Sequence, residues 1–173
     1  MSSRRSFVFG AGAAVASHLA SGPAMSANGR IRVAVLGVHG RGRDHIRGIM
    51  GQSDAEVAVI CDPDSEVAES RASSFASACG KRPEVVSDLR RVFDRKDIDA
   101  VTIATPNHWH ALAAIWACQA GKEVYVEKPG SHSVWEGRKL VEAAHKYNRI
   151  VQHGVQVRSS EALREAVGLL RKA

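Results

Sequence analysis

The chain has 173 residues, 45% of them apolar, with 24 Lys and Arg against 18 Asp and Glu, a formal excess of +6. That length supports one ordinary domain with a true core. No apolar run after residue 30 nears the roughly 20 residues that span a bilayer. The basic residues are scattered and locally dense only at Arg41-Gly42-Arg43 and Arg90-Arg91, a mixed-charge solvated surface that argues against nucleic acid as a partner.

Residues 1–29 read as a targeting segment and linker. Arg4-Arg5, then Phe7 and a mildly apolar stretch to Leu19, then small residues from Ala20 to Ala27, resemble a twin-arginine export signal. The expectation is a periplasmic or otherwise exported protein, with the twin-arginine export machinery as a partner. Cys61, Cys79 and Cys118 have neither disulfide-framework nor zinc-ligand spacing and read as small buried apolar residues. Trp109, Trp116 and Trp135 read as packing residues.

Beyond Gly29, short β-branched runs at 31–36, 57–61, 100–103, 124–126 and 150–155, with a weaker one at 84–86, suit buried parallel strands. Helical patterns at 44–50, 65–79, 88–93, 111–119 and 134–147 alternate with them, and another at 161–172 runs to the last residues. Ser133 with Glu136 forms a capping-box pattern, and Gly121 falls where a helix would end. The alternation predicts an α/β fold, a doubly wound, mostly parallel sheet over residues 30–155. Residues 156–173 read as the start of a connection to a further domain.

Gly37-Val38-His39-Gly40-Arg41-Gly42 lies between the first strand and the first helix. A dinucleotide pyrophosphate needs bare backbone amides at a helix N-terminus, and glycines there permit the tight turn and close helix packing. His39 stands where the middle glycine of such a turn is usual, with Gly40 beside it. Asp62 closes the second strand 20 residues after Gly42, the separation expected of a carboxylate on the adenosine ribose hydroxyls. It would repel a 2′-phosphate, so NAD is favoured over NADP. Thr105-Pro106-Asn107-His108-Trp109-His110 follows the fourth strand and Glu127-Lys128-Pro129 the fifth, both at strand ends that face a ligand crevice. A desolvated lysine held there can donate to a substrate oxygen. His108 and His110, without a carboxylate cluster, do not make a metal site.

Together Ala104-Thr105-Pro106, the His108/His110 loop, Glu127-Lys128-Pro129 and Ser131-His132-Ser133-Val134-Trp135-Glu136 resemble the Gfo/Idh/MocA oxidoreductases. The resemblance implies a Rossmann-like domain, an NAD cofactor, a sugar or cyclitol substrate, and hydride transfer between a ring carbon and the nicotinamide. It maps Lys128 to the catalytic lysine that contacts substrate and cofactor, with its Lys-Pro bond a candidate for cis, and Glu127 to that lysine's support. Pro106 and His108–His110 map to the wall of the nicotinamide end. Gly37, His39, Gly40, Arg41, Gly42, Asp62, Thr105, Pro106, Asn107, His108, His110, Glu127 and Lys128 are the expected cofactor-binding set. The family also carries a second α/β domain with the substrate pocket, the remaining acid/base and much of a dimer interface, so a homo-oligomer is expected of the full-length form and little turnover of this chain alone. Two other readings are an NAD-retaining glycoside hydrolase of the same fold and a truncated, non-catalytic nucleotide-binding fragment.

Overall fold

Short runs of Val, Ile and Ala without alternation bury both their faces only inside a sheet covered on two sides. A computed structural model describes residues 29–172, and six such strands form its centre: β1 (Ile31–Leu36), β2 (Ala55–Cys61), β3 (Glu84–Val86), β4 (Ala100–Ile103), β5 (Glu123–Glu127) and β6 (Val151–Gly154). All pair in parallel, in the order β3-β2-β1-β4-β5-β6. The order reverses between β1 and β4, which opens a crevice at their carboxyl ends. The sheet is thus wholly parallel among the described residues.

Among the described residues six α-helices accompany it: α1 (Arg41–Met50), α2 (Ser65–Cys79), α3 (Leu89–Phe93), α4 (Asn107–Gln119), α5 (Val134–Lys146) and α6 (Glu161–Leu170). On one face Ile46 of α1 and Ala68, Ala72 and Phe75 of α2 pack against Val35, Val57 and Ile60. On the other, Val92 and Phe93 of α3, the alanines of α4, and Leu140 and Ala143 of α5 pack against Leu36, Val101, Ile103, Val124 and Val126. Small residues on α4 let it lie close to the sheet. The ends are set locally. Asp64 accepts from the Val67 amide at 3.1 Å, Gly80 closes α2 with φ +71°, and Ser133 and Glu136 form the expected capping box. Gly121 follows α4 with φ +77°.

Two helices begin earlier than the sequence pattern predicts. Gly40 is the N-cap of α1 and Pro106 that of α4, so the turn residues Arg41 and Gly42, and the whole stretch from Asn107 to His110, are helical rather than looped. Glycine and proline break helix interiors but start helices readily, which is why the apolar periodicity alone placed the starts too late. Cys79 and Trp135 are exposed, against the expectation of burial, because each stands at a helix end beyond the apolar stripe. Trp109 is 37% exposed as well, with its ring 6.3 Å from that of Trp116. The α6 helix buries none of its residues. Among the described residues no helix is long and apolar enough to cross a membrane, and the twin-arginine pattern lies outside them.

Candidate functional site

The turn after β1 is shaped by what glycine lacks. Gly37 has φ +83°, and a Cβ there would stand 2.7 Å from the Thr105 nitrogen. A Cβ on Gly42 would run into the Gly37 carbonyl oxygen. The first turn of α1 therefore rests directly on the loop after β1. No side chain caps that turn, so its amides are open to an anion. His39 turns its ring toward the end of β2, with Nε2 3.2 Å from Asp64 Oδ2 and 3.7 Å from Asp62 Oδ1.

Asp62 ends β2 buried, and its carboxylate braces the turn. Oδ2 accepts from the Val38 amide at 2.8 Å and Oδ1 from the Asp64 amide at 3.0 Å. Each oxygen keeps a second lone pair. An apolar cleft of about 480 Å³ beside it is lined by Pro63, Leu89, Pro106, Trp109 and Trp116.

Glu127 is the hub of the other half. Although it is only 4% exposed, its Oε1 accepts from Arg41 Nε at 3.2 Å and faces His45 Nε2 at 3.0 Å. Its Oε2 accepts from Gln156 Nε2 at 3.2 Å and from the Lys128 amide at 3.3 Å. Burial pushes this carboxyl up, but the hydrogen bonds from His45 and Arg41 outweigh it and hold it below the usual range. The same contact raises Arg41. A carboxylate with all four of these partners ties α1 to the loop after β5 while still lining the polar cavity beside Lys128.

The exposed Lys128 follows, joined to Pro129 by a cis peptide bond. His110, 1% exposed, reaches from α4 to both loops, with Nε2 2.8 Å from the Thr105 carbonyl and Nδ1 2.6 Å from the Pro129 carbonyl. His108, by contrast, is exposed. Arg41, Thr105, Asn107, His110, Glu127, Lys128 and Gln156 together line a polar cavity of about 320 Å³. A larger cleft of about 570 Å³, between α5 and the β5–β6 edge, lies off this crevice.

The fold thus brings the glycine turn, Thr105–Asn107 and Lys128 to one end of the sheet. Sequence reading missed His45 and Gln156. His45 carried a weak signal, four residues after Arg41 on the same helical face. Gln156 carried none, since only the β5–β6 pairing brings it to Glu127.

The family described as the oxidoreductase family, NAD-binding Rossmann fold, matches residues 31–155. The chain belongs to it. Glycosyl hydrolase family 109 protein 1 of Shewanella sp. strain MR-4 is 33% identical over 120 residues, covering 67% of this chain and 26% of that protein. GenD2 from gentamicin A biosynthesis, solved in complex with NAD, is 28% identical with TM-score 0.64, covering 72% of this chain and 34% of that one. Myo-inositol 2-dehydrogenase from Lactobacillus plantarum shares the fold, with TM-score 0.74 at 23% identity over 83% of this chain and 41% of that one. The chain spans about a quarter of the curated relative it matches. The site fits the dinucleotide that this domain binds. The space a Cβ would fill at Gly37 and Gly42 is closed to side chains, the first turn of α1 is uncapped, and the Thr105 hydroxyl is buried without a partner.

Proposed function

We propose that the chain supplies the cofactor-binding half of an NAD-dependent dehydrogenase acting on a sugar or cyclitol. The observation that carries this reading is the placing of Lys128 in one cavity with Arg41, Thr105 and Asn107, beside the uncapped start of α1. The α1 amides and Arg41 hold the pyrophosphate, the free lone pairs of Asp62 take the adenosine ribose hydroxyls, and the cleft between Pro63 and Pro106 receives the adenine. Bound NAD supplies the carbon that accepts or returns a hydride. Lys128 donates to the substrate oxygen and disfavours its wandering from that carbon, while Glu127 fixes the backbone from which the lysine rises. The residue that exchanges the substrate hydroxyl proton is assigned to a further domain, along with most substrate contacts and the interface of a homo-oligomer.

In a longer form carrying that domain, reduced nicotinamide should accumulate with NAD and a suitable sugar or cyclitol. Lys128→Ala should lower turnover at least 100-fold, and retained turnover would remove the lysine from the chemistry. This chain alone is expected to bind NAD in a calorimetric titration without turnover. The glycosyl hydrolase relative supports a second reading, glycoside cleavage with the cofactor retained; released sugar with no net NADH would select it. Export by the twin-arginine route belongs to the same proposal, and loss of extracytoplasmic protein on replacing Arg4 and Arg5 by lysine tests it.

A further inference from the structure

A second polar cavity, of about 520 Å³, lies along β5 and β6 and the turn that follows them. Tyr125, Gln152, His153, Gln156, Arg158 and Ser159 line it. Gln156 also lines the cavity that holds Lys128, so the two share a wall. Tyr125 is fixed from two sides. Its ring meets that of His45 edge-on, at 5.2 Å and 90°. Its hydroxyl lies against Gly154, where any Cβ would run into the oxygen. Burial and the Glu127 carboxylate push this phenol up, which keeps its proton in place as a donor.

The charge of this cavity is one-sided, for its lining holds Arg158 and no carboxylate. Arg41 is spent on Asp44 and Glu127, Arg149 on Glu123 and Arg164 on the Ser159 carbonyl, whereas Arg158 enters no ion pair among the described residues. Glu127 does not answer it, since its oxygens are taken by Arg41, His45, Gln156 and the Lys128 amide. A neutral sugar donates as well as accepts through its hydroxyls, and a site built for it offers strong acceptors. A guanidinium has only donors, in a planar fork that matches a carboxylate. We infer that this cavity is an anion subsite for the substrate, and that the substrate is a sugar acid of the uronate class. Its carboxylate rests on the Arg158 fork, the Tyr125 hydroxyl donates to a neighbouring oxygen, and the reacting carbon points across Gln156 to Lys128. One arginine balances one negative charge, which suits a carboxylate better than a phosphate ester.

The inference rests on the dehydrogenase reading, which brings the substrate to Lys128, but the subsite is tested without turnover. In this chain saturated with NAD, excess glucuronate or galacturonate should shift the Arg158 Nε and Gly154 amide resonances. Glucose and galactose at the same concentrations should shift neither. Arg158→Gln should weaken the uronate titration about tenfold or more, and Arg158→Lys, which keeps the charge without the fork, should restore only part of it. Equal shifts with the neutral sugars, a stronger response to glucose 6-phosphate, or a titration indifferent to Arg158→Gln overturns the subsite. The comparison of ligands on the unsubstituted chain stands even if a variant does not fold. In the longer form, uronates should exceed their neutral counterparts in kcat/KM. If uronates bind as expected but yield no NADH there, the dehydrogenase reading fails and the subsite remains. If neutral sugars yield NADH and uronates do not, the subsite fails and that reading remains.

Discussion

At the scale of single residues, the site depends on groups whose state is set by burial. Glu127 is the sharpest case, since its carboxylate would be costly in that position without Arg41 and His45. Glu127→Gln should reduce stability by about 1–3 kcal/mol, read from urea unfolding. Because the folded carboxyl lies below its ordinary value of 4.5, its contribution is full above that pH and is lost as pH falls through the depressed value. The gap between wild type and variant should accordingly close in acid. The three thiols should also separate. Burial, helped by Asp62 and Asp88, pushes Cys61 up to about 12, and burial raises Cys118, whereas Cys79 is exposed. Native protein treated with a thiol reagent at neutral pH should label one cysteine quickly, at position 79, with the other two following only on unfolding.

At the scale of elements, the junction of β1 and α1 is where packing and ligand binding meet. Gly42 lies in the first turn of α1, directly after Arg41, in a helix where glycine would ordinarily be no better than alanine. Here a methyl group would meet the Gly37 carbonyl. Gly42→Ala should therefore destabilise by about 1–3 kcal/mol and weaken NAD binding at least tenfold by lifting the helix from the turn. Gly48 on the same helix supplies the control, for a Cβ there meets nothing within 4 Å. Gly48→Ala should stabilise by about 0.5–1 kcal/mol and leave NAD affinity unchanged. Equal effects at the two positions would show that the close approach at Gly42 has no bearing on the site.

At the scale of the whole molecule, the site is a convergence of separate strand ends. The β1 turn, the end of β2, the segment after β4 and the loop after β5 come from positions 37 to 128, and each is held by a neighbour rather than by itself. Asp62 braces Val38, Glu127 ties in Arg41 and Gln156, and His110 joins Thr105 to Pro129. A ligand spanning these segments stabilises all of them together. A hundredfold excess of NAD over its Kd should add about 2.7 kcal/mol, seen as a Tm rise of about 5–10 °C. No rise with NAD would contradict a preformed cradle. The apolar residues left open on α6, among them Leu163, Val167 and Leu170, form a separate surface away from this convergence.

Much of this was legible in the residues alone. The strand–helix alternation, the glycine turn, Asp62 at its spacing, the capping box at Ser133 and Glu136, and the lysine at the end of β5 are local patterns, because backbone conformation and burial period are written into neighbouring positions. Helix starts at Gly40 and Pro106 were less legible, since those residues signal loops and caps alike. The tertiary structure alone decided that Glu127 spends its oxygens on Arg41, His45 and Gln156, and that His110 stands between two carbonyls. Those partners lie up to 86 residues apart. Nothing in their own stretches of sequence specifies a bond that exists only once β1, β4, β5 and β6 are laid side by side.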